Sequence, residues 1–448
     1  MKTIGIFSEY QVYLPKVRYV VEFLNHHPLK PQGCSVFQVN PQDEPSISLS
    51  YGSKAQSDYI IPCQKLIFSD QVKSNDQLSI VEYGTEDFSA YSVESRSEKI
   101  KASFLSHRIF GFDIIETIFF HISRYEEYHC SDQKKDQWDM MWETDQLLVM
   151  HDLHRVPVVD HLVLSFYRAI GFDINQTDTT YSLSHDIDVI QKYQGVNRTL
   201  RSFARAILDN GISGFYNNLT LYINTKFNSA KDPFNTFSFL LIDRSSKVFI
   251  QKTLYLMSGG ETNHDNYYQV NNHLIAEYIG LAKERGYHIG LHGSYNSAFK
   301  SSLFLEEKNR LEEVIRTPVV ESRQHFLRYS FHHTSDIIEH SGIQKDSTLG
   351  YQRLIGFRCG TGFPYHLYSF KEKRAYRFLE QPMVIMDGAL LQECAGNLDK
   401  AKDFLIEFQH QNRHNTHINY NVHNTIFDPV KRDIIKMKQI YELMLKTH

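Results

Sequence analysis

The stretch YSLSHDIDVI, residues 181–190, begins like a strand built for burial and ends in His185-Asp186-Ile187-Asp188. Three ionisable groups within four residues need a reason, because neighbouring carboxylates raise each other's pKa unless something positive lies between them. Either the cluster faces water and means little, or it holds a metal or does proton chemistry.

From residue 181 onward the chain alternates strand and helix. YSLSH (181–185), VFIQKTLYLM (248–257), HIGLH (288–292), PVVESRQHF (318–326), LIGFR (354–358), PMVIMD (382–387) and THINYNVH (416–423) read as strands. NRTLRSFARAIL (197–208), NNHLIAEYIGLAKERG (271–286), LEEKNRLEEVIR (305–316), SDIIEHSG (335–342), DKAKDFLIEFQHQNR (399–413) and VKRDIIKMKQIYELML (430–445) read as helices. This rhythm predicts a parallel sheet with helices outside it. About seven strands in ~260 residues suit a distorted (β/α)7-type barrel, with its chemistry at the carboxyl ends of the strands. Residues 1–110 read as a small mixed α/β domain, with strands at TIGIF, CSVFQV, SISLSY, QKLIF and LSIVEY and a helix at VRYVVEFLNHH. Residues 111–180 read as a helical connector: DIIETIFFHISRYEEYHC capped by Asp113, a charged loop SDQKKDQWDMMWETDQ, and VPVVDHLVLSFYRAIGFD ending near Gly171. SRYEEY is expected to form a helix surface or a domain interface.

Six predicted strands end in groups that bind metal, move protons or hold charge. Besides 185–188 these are His292, the pair Arg323 and His325, Arg358, Asp387, and His423 with Asn424. Metal-assisted hydrolysis fits this set. A divalent ion held by carboxylate and imidazole acidifies water and polarises a carbonyl. A second carboxylate then takes the water's proton, and an imidazole protonates the leaving group. An arginine beside the base keeps it ionised and oriented.

The order of these groups resembles the polysaccharide deacetylases of carbohydrate esterase family four, in a divergent branch with an extra amino-terminal domain. The resemblance runs from about 181 to 425. Ser184-His185-Asp186-Ile187-Asp188 is similar to the family's first motif, which implies Asp186 as general base and Asp188 as metal ligand. His292-Gly293-Ser294-Tyr295-Asn296 sits where the family has His-Ser/Thr-x-x-His, which implies His292 as a ligand. Arg323 in SRQHFLRY matches the arginine that holds the base, and GIQKDSTLGY resembles the stretch that follows it. His423 in NYNVHN matches the late histidine that acts as general acid, with Asp387 as its tuning partner. ISRYEEY and GFRCGTGFPY resemble features of the divergent branch. The resemblance implies a carbohydrate substrate and a divalent metal cofactor, zinc or another transition metal.

One position departs from that pattern. The second histidine of the metal motif is Asn296, whose amide oxygen is a poorer zinc ligand than imidazole. The expected alternatives are another metal, a third ligand from His185 or His325, or a barrel that binds glycan without metal. Arg358 is a further candidate, for an anionic sugar or for shaping a loop. A hydrolase of small cyclic amides, cutting a non-peptide C–N bond, uses a similar first motif. A glycosyltransferase also uses Asp-x-Asp, to hold a metal and a nucleotide sugar.

The bulk composition narrows the classes. The chain has 448 residues, is 42% hydrophobic and 22% charged, and carries a net charge of −4. That balance supplies no strong basic field for nucleic acid or anionic lipid. Its five cysteines are scattered without a C-x-x-C pair, which argues against a disulfide framework or a cysteine zinc site. MKTIGIFSEYQVYLPK lacks a long apolar run and reads as a first strand, and no stretch approaches a membrane span. The expected location is the cytoplasm, and the oligomeric state is left open.

Overall fold

A computed structural model describes residues 1–52, 56–69, 71–84, 89–96, 103–242, 249–265 and 268–446. The chain is mixed α/β. A first sheet contains β1 (Lys2–Ser8), β2 (Cys34–Val39), β3 (Ile47–Tyr51), β4 (Tyr59–Ile61), β7 (Leu105–Ser106) and β8 (Ile109–Phe110), in the order β2-β1-β3-β4-β8-β7. β5 (Leu78–Gly84) and β6 (Ser89–Ser95) form a separate antiparallel pair. QKLIF is not a strand. The Glu116 carboxylate accepts from the backbone N–H groups of Leu66 and Phe68, both at 2.9 Å, which holds that segment as an irregular loop.

The second sheet has nine strands. They are β9 (Thr180–Ile187), β10 (Phe249–Leu256), β11 (His288–Gly293), β12 (Glu321–Gln324), β13 (Lys345–Asp346), β14 (Tyr365–Ser369), β15 (Arg374–Glu380), β16 (Ile385–Met386) and β17 (His417–Asn421). Their order is β14-β15-β13-β12-β11-β10-β9-β17-β16, parallel throughout except for the β14–β15 hairpin. The result is a parallel half-barrel whose ladder is open at β14 and β16. The chain leaving β15 spans the gap: Gln381 N–H donates to Asp346 O at 2.7 Å, and Val384 N–H to Asn419 O at 3.0 Å. Val248, included in the expected second strand, lies outside the described residues.

β9 sits between β10 and β17 and is buried on both faces. Its side chains alternate: Tyr181, Leu183, His185 and Ile187 point one way, Ser182, Ser184 and Asp186 the other. The two faces therefore differ in chemistry, one mostly apolar and one polar. β17 repeats the pattern, with Ile418 and Tyr420 against His417, Asn419 and Asn421.

LIGFR is not a strand. Its N–H groups go to two different segments, Gly356 to Val384 O and Phe357 to His154 O. At Gly356 (φ 150°) a Cβ would meet the His154 carbonyl at 2.0 Å, so only glycine passes there. The strands actually following are β14 and β15, which the alternating YHLYS and RAYRFLE form as a hairpin. The expected helix at 197–208 is one arm of a longer element, Gly195–Phe227, which reverses direction at Gly211 (φ 59°, ψ −146°).

SRYEEY is not a surface. Arg124 takes a left-handed conformation (φ 55°) that splits helix Ile114–Ile122 from the short helix Tyr125–Tyr128, and its side chain is buried. It donates to Glu127 Oε1 from Nε at 2.8 Å and from Nη2 at 2.6 Å. Arg358, from the 350s loop, pairs with the same carboxylate. The segment thus joins the second sheet's loops to the connector helices. No helix among the described residues is long and apolar enough to cross a membrane.

Glu127 is shared by two buried guanidinium groups; removing its charge takes the paired carboxylate from Arg358 and leaves Arg124 only the Glu126 carboxylate, at 3.3 Å. Glu127→Gln is expected to lower unfolding free energy by about 3–5 kcal/mol, read from the urea transition. A loss under about 1 kcal/mol would show that the network adds little beyond an ordinary surface pair.

Candidate metal centre and acid–base pair

Four parallel strands deliver the central groups from their carboxyl ends. Asp186 lies on β9, and Asp188 follows it by two residues. His292 is on β11, Arg323 is on β12 with His325 just beyond it, and His423 follows β17. Asp387 follows β16.

Asp188, His292 and His325 form the candidate ligand group: one side-chain atom from each lies within 4.8 Å of the others. His292 Nε2 is 3.3 Å and His325 Nε2 is 3.7 Å from Asp188 Oδ1. That oxygen is buried and makes no hydrogen bond among the described residues. A buried carboxylate oxygen without a donor, facing two imidazole nitrogens, fits a cation better than an empty space. Each histidine is held through its other nitrogen. His292 Nδ1 lies 3.0 Å from Arg323 O, and His325 Nδ1 lies 3.3 Å from Asp265 Oδ1. Such partners fix the tautomer and leave Nε2 available to a metal.

Each oxygen of Asp186 accepts one hydrogen bond. Arg323 Nη1 donates to Oδ1 at 2.8 Å, and Asn421 Nδ2 to Oδ2 at 2.7 Å. Burial pushes its carboxyl upward, yet the Arg323 charge, with His292 and His423, holds it below the usual carboxylate value. Asp188 is also held low: burial is outweighed by the His292 contact and the charges of His325 and His423.

His423 stands beside both carboxylates, with Nε2 3.8 Å from Asp186 Oδ2 and 4.0 Å from Asp188 Oδ2. Asp387 grips it twice, through the ring Nδ1 and through the backbone N–H, both at 2.7 Å. Burial alone would lower this imidazole's pKa, but the Asp387 carboxylate, then Asp188 and Asp186, raise it to about 10.

Three sequence candidates lie elsewhere. His185 points to the opposite face of β9, where Nδ1 meets Val422 O at 2.8 Å and Nε2 lies 3.4 Å from Tyr287 Oη. The period-two alternation of a strand separates it from Asp186. Asn296 sits in a turn, with its amide 3.4 Å from Glu261 Oε2, and does not join the ligand group. Arg358 is not at a strand end. It is buried against Glu127 and donates to Gly350 O at 2.8 Å.

Asp265, which steadies His325, had no motif to announce it; it comes from the loop after β10 and also accepts from Tyr295 N–H at 2.9 Å. Asn421, two residues before His423 on the polar face of β17, likewise carries no motif of its own. Trp138 arrives from the connector loop and stacks on Phe326 at 4.5 Å, beside His325.

Asp188→Ala and His325→Ala are each expected to abolish a content of about one divalent ion per chain, measured by elemental mass spectrometry. Asp265→Asn is expected to weaken metal binding about 10–100-fold. Asn296→Ala should leave it unchanged, and a loss there would return that amide to the ligand set.

Residues 6–173 match a family described as a family of unknown function (DUF7033), a region that ends before Asp186. No curated protein matches the chain. Among solved structures, one described as "putative polysaccharide deacetylase from Mycobacterium smegmatis" is similar at 14% identity and a TM-score of 0.33, covering 60% of this chain and 85% of that one. A similarity that loose bears on neither the details of the sheet nor the chemistry.

Proposed function

We propose that the chain is a metal-dependent hydrolase that removes an acyl group, acetyl first among them, from a glycan or sugar precursor, on a distorted (β/α) barrel. The observation that carries this reading is the meeting of two differently tuned groups, Asp186 and His423, beside the Asp188–His292–His325 group. A divalent ion held there, zinc or another transition metal, would supply Lewis-acid polarisation of the acyl carbonyl and acidify water.

The chain's own residues divide the proton work. Asp186, kept ionised by Arg323, takes a proton from the attacking water as its oxygen bonds to the carbonyl carbon. Asn421 and Arg323 fix the carboxylate, so its free lone pairs face the reacting water. His423, kept protonated by Asp387, delivers a proton from Nε2 to the leaving nitrogen or oxygen as the C–N or C–O bond breaks. The products are a carboxylic acid and an amine or alcohol; Asp186 is left protonated and His423 neutral, and return of that proton from Asp186 to His423, 3.8 Å away, resets both for the next turnover. His325 weakens the reading of a glycan-binding barrel that has lost its metal, because it offers the third ligand that Asn296 does not.

Asp186→Asn and His423→Gln are each expected to lower kcat for acetate release from N-acetylglucosamine oligosaccharides by roughly 10²–10⁴-fold, with metal content retained. Asp186→Asn with undiminished turnover would remove the base from its place. Release of ammonia or a ring-opened acid from cyclic amides, with no acetate from sugars, would move the substrate class to small amides while keeping the machinery.

A further inference from the structure

The long element after β9 takes no part in the chemistry above. Gly195–Phe227 is a hairpin of two antiparallel helices, closed by Phe203 against Phe215 and Tyr222 at 5.5 and 5.8 Å. At Gly214 a Cβ would strike Ala206 O at 2.1 Å, so the arms touch closely. Their outer surface is unusual. Of the eighteen large apolar side chains exposed among the described residues, eight lie on this hairpin. Val196, Leu200 and Ile207 (i, i+4, i+11) form a stripe on the first arm, and Ile212, Tyr216, Ile223 and Phe227 (i, i+4, i+11, i+15) form one on the second. Leu208 is 84% and Ile212 76% exposed, either side of the turn at Gly211. This is the apolar edge of an amphipathic element, not scattered exposure.

The charge on the same element is positive. Arg198, Arg201, Arg205 and Lys226 stand against one carboxylate, Asp209, in a chain whose net charge is −4. Arg201 and Arg205 line a groove of about 620 Å³ with Lys192 and Lys431, bounded by Val189, the residue after Asp188, and Thr425, two residues after His423. Lys192 is paired with Asp428 at 2.7 Å.

We propose that this hairpin docks the protein on an anionic lipid bilayer, with the tip around Leu208 and Ile212 entering the interface and the arginines meeting headgroups. An amphipathic helix with basic and apolar faces binds such surfaces by both terms together. A second copy seated on the apolar stripe fits less well, since Arg198, Arg201 and Arg205, about 140–200° round the arm from that stripe, would gain no anionic partner. The proposal stands independently of the hydrolase reading.

The test is sedimentation of the full chain with vesicles of phosphatidylcholine mixed with phosphatidylglycerol, and with pure phosphatidylcholine. Binding to the mixed vesicles, weakened by added salt and by pure phosphatidylcholine, is expected. Leu208→Glu/Ile212→Glu should reduce partitioning on the order of a hundredfold. Arg201→Glu/Arg205→Glu should remove the preference for the anionic lipid. Unchanged circular dichroism and metal content in each variant separate these losses from misfolding. No binding by the unaltered chain, or binding that the tip variant retains, overturns the proposal. So does a lipid-free dimer that the tip variant dissociates.

Discussion

A guanidinium with no exposure to water must find an acceptor for nearly every N–H, and Arg323 does so only because several strands arrive in the right register. It donates from Nε to Ser347 O, from Nη1 to Ser184 Oγ and Asp186 Oδ1, and from Nη2 to Ser347 Oγ, all between 2.8 and 2.9 Å. Its plane lies over Tyr255 at 4.5 Å. These partners come from β9, β10 and the end of β13, and Asn419 on β17 reaches the same Ser347 hydroxyl at 3.0 Å. A one-residue slip in β9 would turn Ser184 and Asp186 to the other face and leave the charge stranded. The same buried cation that demands this register also holds the Asp186 carboxylate ionised. Structural order and acid–base tuning are therefore one constraint in this molecule.

The parts of the fold that sequence made legible share a feature: their pattern and their local hydrogen bonding agree. β9, β10, β11 and β17 are apolar or alternating runs that pair over several residues, and helices such as Ser301–Ile315 carry a clear one-sided period. Where the reading went astray, a side chain or a distant carbonyl had taken over the backbone. Glu116 does this to QKLIF, and His154 and Val384 do it to LIGFR. The hairpin at Tyr365–Glu380 was missed because its alternating face is aromatic and charged, without an aliphatic run.

The candidate site was legible to the extent that it lies on strands. Asp186, Asp188, His292, Arg323 and His423 each stand at or just past a strand end, where period and position can be followed along the chain. His325 was visible as a residue but not as a ligand in preference to His185. Its placement depends on a tight turn in which Phe326 and Leu327 both adopt positive φ, 58° and 51°, an arrangement no spacing announces. Asp265 and Asn421 act through long-range contacts, and Asn296 kept a ligand's place in the motif while the backbone turned it away.

Trp138 gives this architecture a further property. It belongs to a loop some forty residues before β9, yet its ring lies flat on Phe326, and Arg328 Nε donates to its carbonyl at 3.2 Å. The wall beside the centre is thus inherited in two pieces, one from the strands that hold the reactive groups and one from a loop with no part in the sheet. Changes in that loop can reshape the approach to Asp188 without disturbing a single strand register. In the proposed hydrolase, that loop is a place where selectivity can drift while the chemistry stays fixed.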